Sequence, residues 1–424
     1  MSMQTKGSWA ALMVLAVAAS ACSAGVESGD SDGKDSATSV VSSAESARRK
    51  AAIRAHFDAQ RAKLTIRDTT VLDSGHVIDW VDAASQVPDG KLAEPPPALE
   101  NIALSEKNQA LSELQQDRSI RGPEGTVPVL RRDSDFVLDH VDLPATVEEF
   151  LNPNQRGESR AADAAGGLNP YGHQGFDPYT HRYAQAGQVI GTDNVYGTDG
   201  YIYVADPYVW RNDEFSLAQL GLGRGTGAGS QTVEVGWQDF RNMYGDFKPH
   251  LFFFFNTNNY ASRGDYVGGY NTDYLGWVQS STTLFPGASL TVGSELYIRV
   301  LMYGGNWWVN VNNQWVGYYP GWMFATTGLR NWANTVQWFG ELLDYIADGV
   351  TTQTDMGNSY FAGPGSAYMR NMRWENTTGV QSNLNAGYSA PNSNCWSVQG
   401  FNNSGTTWGT YMYFGGPGKS AGCP

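Results

Sequence analysis

Charged residues and cysteines are both scarce in this chain of 424 residues. Asp, Glu, Lys and Arg make up 17% of it, below the share of about a quarter in typical soluble domains. The few basic residues leave a formal net charge of −14, which repels phosphate backbones and argues against a nucleic-acid partner. Glycine (49 residues) and aromatics (12%) are abundant, which favours strands joined by glycine turns over helix bundles.

The apolar run at the N-terminus, from Trp9 to Ala19, is too short to cross a bilayer. With Lys6 before it and small residues after it, it predicts a bacterial signal peptide over residues 1–24. Cys22 occupies the position at which a lipoprotein carries its acylated cysteine, so two interpretations stay open. Either lipid on Cys22 anchors the protein to the cell surface or outer membrane, or cleavage after Ala21 or Ala24 releases it as a secreted protein.

The three cysteines fit an exported protein. An exported chain meets an oxidising environment, in which paired cysteines form disulfides. If Cys22 is removed or lipidated, Cys395 and Cys423 remain as an even pair. We therefore predict a disulfide between Cys395 and Cys423.

The N-terminal part of the chain contains three regions of different composition. Residues 25–46 are rich in Ser, Asp, Gly and Ala and predict a disordered tether. Residues 47–165 combine a predicted helix over 47–64, two short strands around a turn at 73–75, and a weakly helical stretch over 99–118. At the end of this region, residues 152–167 form a polar, Ala- and Gly-rich stretch that predicts a linker open to cleavage.

Residues 175–424 have the pattern of a β domain. From about Tyr179 onward, apolar and polar residues alternate between turns rich in Gly, Asn and Asp. Many short strands at regular spacing predict an antiparallel sandwich or barrel. The clearest predicted strands are residues 201–204, 232–235, 251–255, 295–302, 307–311, 335–343 and 367–374.

Common catalytic motifs are absent from this β domain. It has no Gly-x-Ser-x-Gly elbow, no phosphate-binding Gly-x-x-x-x-Gly-Lys-Ser/Thr loop and no His-Glu-x-x-His. His181 and His250 of this domain and His173 just before it have spacings that indicate no zinc site, so we expect neither a metal nor a cofactor. By elimination, any chemistry rests on carboxylates.

Two glutamates have unusual settings, Glu234 and Glu341, each within an apolar, aromatic strand. Such a Glu is costly unless it is paired or neutral. If both share one sheet face, they form a dyad in which one carboxyl is ionised and the other protonated, able to activate water and protonate a leaving group. The alternative is a Glu on the solvent-facing side of a strand. Glu214 is either structural or cleft-lining, and Asp246 fits a turn.

Residues 195–424 resemble the neprosin domain, and we identify the chain as a bacterial-type member of that family. The blocks that carry the resemblance lie at residues 195–197, 213–219, 233–238, 244–246, 251–252, 276–279, 305–309, 316–320, 408–418 and 423–424. Residues 75–81, Gly-His-Val-Ile-Asp-Trp-Val, are similar to the family's activation-peptide motif, with Trp80 where plant members usually carry Cys.

The resemblance implies an all-β fold, an antiparallel β-sandwich preceded by a mixed α/β propeptide over residues 47–165. It implies a zymogen of a glutamic endopeptidase, in which Glu234 and Glu341 hydrolyse peptide bonds at acidic pH through an activated water. One glycine of the block before Glu341 is replaced by Phe339, which changes the local cleft more than the dyad. The propeptide would act as an intramolecular inhibitor, and cleavage after proline is a weaker implication.

The expected partners are a peptide or protein substrate and the chain's own propeptide, together with the lipid anchor considered above. We expect the protein to be a monomer. We predict that Trp237, Tyr244 and Trp338 form the walls of the substrate cleft. Two other functions stay open. Two glutamates with exposed aromatics also fit a carbohydrate-active sandwich, and the fold could serve a non-catalytic binding module. A detachable propeptide favours the peptidase.

Overall fold

A computed structural model describes residues 42–99, 109–151, 179–191, 194–420 and 422–423. The predicted signal peptide, Cys22, His173, most of the predicted tether and the predicted linker lie outside these residues. Among the described helices, none combines the length and the apolar character needed to span a membrane. From Ser43 onward, the described residues form one compact unit that includes both the N-terminal part and the β domain.

The N-terminal segment, defined here as residues 43–151, mixes helices with a small sheet. Three strands pair antiparallel in the order β1–β2–β3. In chain order its elements are α1 (Ser43–Arg61), β1 (Ile66–Val71), β2 (Val77–Asp82), α2 (Glu113–Gln116), β3 (Thr126–Leu130), α3 (Asp135–His140) and α4 (Val147–Leu151).

Two boundaries in this segment differ from the prediction. The tether prediction is wrong for residues 43–46, because α1 begins at Ser43. Glu45 accepts hydrogen bonds from Arg48 and Arg49 at 2.7 and 2.8 Å, and pairs at these spacings support an added helical turn. In the described part of the stretch over 99–118, helix is limited to the single turn α2, which begins at a capping box on Ser112.

The β domain consists of two antiparallel sheets. In chain order its elements are β4 (Tyr179–Val189), β5 (Val195–Tyr203), β6 (Ser216–Arg224), β7 (Gln231–Asp239), α5 (Arg241–Tyr244), β8 (His250–Asn256), β9 (Gly268–Tyr270), β10 (Val278–Gln279), β11 (Glu295–Tyr303), β12 (Asn306–Val311), β13 (Gln314–Pro320), β14 (Thr335–Tyr345), β15 (Ala367–Asn376), β16 (Gln381–Asn383), β17 (Gly387–Ser389), β18 (Ser397–Phe401) and β19 (Tyr411–Gly415). The seven-stranded sheet has the order β17–β4–β14–β6–β7–β8–β9. The nine-stranded sheet has the order β10–β13–β12–β11–β5–β15–β19–β18, with β16 beside β15. The all-β prediction with a mixed α/β N-terminal region is confirmed.

The main core lies between the two sheets. Alternate residues of the central strands point into it, and Trp237 spans the layers by donating from Nε1 to the backbone oxygen of Tyr203 at 2.8 Å. Cys395 and Cys423 form the predicted disulfide, with their Cα atoms 4.9 Å apart. It fixes the end of the chain beside this core, to which both cysteines contribute.

The other face of the seven-stranded sheet carries a second apolar cluster, shared with the N-terminal segment. That segment contributes Leu72, Ile78, Trp80, Leu114 and Leu130. The β domain contributes Tyr179, Phe215, Leu217, Phe240, Met243, Tyr244, Phe252, Phe254, Tyr270, Phe285, Ala288 and Leu343. Burial of this much aromatic surface is the main force that holds the N-terminal segment on the sheet.

Candidate active site

Glu234 lies in the middle of β7 with only 8% of its surface exposed. Three neighbours donate hydrogen bonds to its carboxylate. Gln219 Nε2 donates to Oε2 at 2.9 Å, while Thr232 Oγ1, at 2.8 Å, and the Tyr260 hydroxyl donate to Oε1. A buried carboxylate with three donors is held in one orientation, and its ionised form is stabilised.

Glu341 lies in β14 with 6% of its surface exposed. Its Oε1 contacts Nδ1 of His181 on the neighbouring strand β4. The His181 ring is stacked with Tyr183 and makes an edge-to-face contact with Phe215. The second buried glutamate therefore has an imidazole partner.

The strand register places both glutamates on the same face of the seven-stranded sheet. Glu234 pairs across the strands with Gly221 of β6, and Gly221 in turn pairs with Gln337 of β14. Glu341 pairs with Leu217, which lies four positions from Gly221 along β6. Because positions an even number apart share one face, the Glu234 and Glu341 side chains point to the same side of the sheet. On a flat sheet the two Cα atoms would be about 10 Å apart across the strands and about 13 Å along them. Among the described residues no hydrogen bond joins the two carboxyl groups directly.

Gln219 lies between the two glutamates, and the sequence analysis missed it. On β6 it pairs with Gly236 on one side and with Phe339 on the other, so each glutamate is its diagonal neighbour on the same face. Its Nε2 bonds Glu234, while its buried Oε1 has no hydrogen-bond partner among the described residues. The signal that would have found it is a polar Gln two residues after Leu217 in an otherwise apolar strand, because alternate residues of a strand lie on the same face.

Gly236 makes room for this arrangement. A Cβ on Gly236 would lie 2.0 Å from the backbone oxygen of Ala218 and 2.7 Å from Cβ of Gln219. Only a residue without a side chain lets β6 and β7 approach so closely beside Glu234. Phe339, the predicted departure from the family block, lies on the same face opposite Gln219 and is largely buried.

The predicted cleft walls are wrong for Trp237 and Trp338. Each lies three positions from its glutamate along the strand, so it points to the opposite face, where it is fully buried in the core between the sheets. Tyr244 does lie on the glutamate side, with its hydroxyl 3.2 Å from Nδ2 of Asn271. It is fully buried beneath the N-terminal segment, and burial raises the pKa of its hydroxyl.

Glu214 is a structural residue rather than part of this site. The hydroxyls of Thr352 and Thr354 donate to its Oε2 at 2.6 and 2.5 Å, and the backbone N–H of Tyr345 donates to its Oε1 at 3.0 Å. Burial raises the pKa of the Glu214 carboxyl to about 7, against the lowering effect of these hydrogen bonds. Glu214 therefore anchors the loop that follows β14.

The residues of this site that lie on β6, β7 and β14 fall within one stretch of chain. Residues 212–417 match the family model Neprosin. The match contains Gln219, Glu234 and Glu341, whereas His181 and the whole N-terminal segment lie before it. The sequence resemblance to neprosin is thus supported over the strands that carry both glutamates.

Several solved structures are similar to this chain at low identity. Two are scytalido-glutamic peptidase bound to transition-state analogues, each 10% identical, with TM-scores of 0.33 and 0.34. A third is SCP-B, a member of the Eqolisin family of peptidases, in complex with the tripeptide Ala-Ile-His, at 9% identity and a TM-score of 0.31. Each comparison covers 56% of this chain and 99% of the other. At these TM-scores the likeness lends no weight to a function.

Proposed function

We propose that the protein is the precursor of an exported glutamic endopeptidase that uses Glu234 and Glu341. The observation that carries the proposal is the placement of both buried glutamates on one sheet face, with Gln219 between them, inside the stretch that matches Neprosin. Export follows from the predicted signal peptide, with Cys22 either lipidated or removed.

In the proposed reaction, a water molecule between the two carboxyl groups attacks the carbonyl carbon of a bound peptide. One of the two glutamates, in its ionised form, accepts a proton of that water. The other glutamate, in its protonated form, donates its proton to the peptide nitrogen as the carbon–nitrogen bond breaks, so the pair ends with the proton positions exchanged. One strand, β6, lies between the two strands that carry the glutamates, which leaves the water and the scissile peptide room between the carboxyl groups.

The N-terminal segment would keep the precursor inactive. It shares the second apolar cluster with the glutamate-bearing face and is joined to the domain by the buried Arg132–Asp273 ion pair. Cleavage in the predicted linker would release it, and acidic pH would allow one carboxyl of the site to be protonated. A preference for cleavage after proline comes only from the family resemblance.

The test is self-processing and substrate cleavage at about pH 3.5, where one of two carboxyls can hold a proton. Wild-type precursor, Glu234→Gln, Glu341→Gln and the control Glu295→Gln are each incubated with a denatured protein. Glu295 is the matched control because it is a strand glutamate of the nine-stranded sheet, paired with Arg370.

We expect the wild type and Glu295→Gln to shorten themselves and cut the substrate, while both site variants stay intact. The ends of the fragments then report the cleavage preference. Equal cleavage by all four proteins would refute the proposal. Hydrolysis of polysaccharides without hydrolysis of protein would instead establish the carbohydrate-active alternative.

A further inference from the structure

A cluster of two histidines and one aspartate lies where the N-terminal segment meets the β domain. His76 precedes β2 in the N-terminal segment, whereas Asp246 and His250 belong to the β domain. One ligand atom from each of the three residues lies within 4.8 Å of the others. Both histidines are almost completely buried, with ring centroids 5.3 Å apart.

Backbone carbonyls fix the orientation of both imidazole rings. Nε2 of His76 is 2.8 Å from the backbone oxygen of Tyr244, and Nδ1 of His250 is 2.7 Å from that of Gly287. A carbonyl oxygen only accepts, so these two nitrogens carry the hydrogens. In neutral rings, Nδ1 of His76 and Nε2 of His250 then hold lone pairs.

In His250 it is the lone-pair nitrogen that faces the cluster. Nε2 of His250 is 2.8 Å from Oδ1 of Asp246, and Nδ1 of His76 is 3.1 Å from Oγ of Ser74. A neutral imidazole nitrogen facing a carboxylate needs a cation or a proton between them. Metal-bound histidines characteristically donate their outer N–H to a carbonyl, and His250 has this arrangement, with Nδ1–H on the Gly287 carbonyl and Nε2 toward Asp246.

We infer that His76, Asp246 and His250 form a binding site for a divalent transition-metal ion of the Zn²⁺ class. Two imidazoles and one carboxylate match the ligand types of a tetrahedral zinc site whose fourth ligand is water. With metal–ligand distances of about 2.0–2.1 Å, the ligand atoms would lie about 3.3 Å apart. The His250–Asp246 contact therefore opens by roughly half an ångström and His76 moves inward.

Such an ion would join two parts of the molecule that the proposed activation separates. The N-terminal segment supplies His76, and the β domain alone keeps only two of the three ligands. Binding of the ion to the full chain does not depend on peptidase activity. Its effect on release of the N-terminal segment rests on the proposed function.

The test uses the full-length chain, freed of metal with a chelator and titrated with Co²⁺ alone. Tetrahedral Co²⁺ gives intense visible absorption, which reports both geometry and stoichiometry, and Zn²⁺ is then added to displace it. We expect one ion per chain. His76→Asn and His250→Asn should each weaken binding more than about 100-fold, beyond the loss that outer-shell changes cause. His140→Asn, which removes an exposed histidine of the same segment, should bind as wild type.

A second variant keeps the inference testable if His250→Asn fails to fold. His76→Cys retains a zinc ligand, so it should still bind Co²⁺ and add a sulfur-to-cobalt charge-transfer band in the near ultraviolet. Absence of tetrahedral Co²⁺ absorption in the wild type would overturn the inference and leave a proton shared by His250 and Asp246. Equal binding by wild type and His76→Asn would also overturn it, because the bound ion would then not be held by His76.

Discussion

At the scale of single residues, the site depends on how each buried polar group is held. Glu234 has three hydrogen-bond donors, whereas Glu341 contacts one imidazole nitrogen. The two carboxyls therefore have different surroundings although they share one sheet face. Gln219 is the residue placed to affect both.

Replacing Gln219 should reduce catalysis more than substrate binding. The Gln219→Leu variant removes the amide that holds the Glu234 carboxylate, so we expect kcat to fall by about 10–100-fold with little change in KM. The measurement is steady-state cleavage of a quenched peptide, with exposed Gln399→Leu as the control. An unchanged kcat in Gln219→Leu would show that the amide is not needed.

Glu214 should make stability depend on pH. Its folded-state pKa is raised to about 7, so the stability linked to its neutral form is present below the unfolded value of 4.5 and is lost as pH rises through 7. We expect wild type to lose on the order of 3 kcal/mol relative to Glu214→Gln between these limits. Urea unfolding at several pH values measures the difference, in a Glu234→Gln background that the proposed function predicts to be unable to cleave itself. Parallel pH profiles of the two proteins would contradict the assignment.

At the scale of elements, strand alternation determines what each residue can do. Glu234 and Trp237 are three residues apart on β7, so they face opposite sides of the sheet. The same rule separates Glu341 from Trp338 on β14. The close approach of β6 and β7 then depends on Gly236, which pairs with Gln219.

Gly236→Ala should distort the β6–β7 pair. The added Cβ would approach the Ala218 carbonyl oxygen to 2.0 Å, so the strands must separate and Gln219 must move. We expect a loss of about 1–3 kcal/mol in unfolding free energy, together with reduced activity. Gly223→Ala in β6 is the control, because its Cβ would meet its nearest neighbour at an ordinary 3.7 Å. If both variants unfold at the same denaturant concentration, the close approach is not limiting.

At the scale of the whole molecule, the N-terminal segment and the β domain form one compact unit. The second apolar cluster and the buried Arg132–Asp273 pair join them. Burial raises the pKa of Asp273 to about 6, opposed by the Arg132 guanidinium, so the pair is costly to leave half-broken.

Arg132→Met should loosen the N-terminal segment. It leaves the Asp273 carboxyl buried without its partner, and we expect a destabilisation of about 3–5 kcal/mol. The precursor should then be processed faster and at higher pH than wild type. Limited proteolysis in a Glu234→Gln background separates loosening from catalysis, with exposed Arg118→Met as the control. Identical digestion rates for both arginine variants would count against this role of the pair.

The sequence by itself determined most of the strands, the disulfide partners, and the placement of two glutamates within apolar strands. Strand alternation and apolar flanks are local, so they can be read without knowing the fold. Only the tertiary structure decided that Gln219 and His181 contact the glutamates, and that Trp237 and Trp338 belong to the core. It alone brought His76 to Asp246 and His250. These contacts join segments far apart in the chain, and their distances follow from strand order and register, which no local pattern specifies.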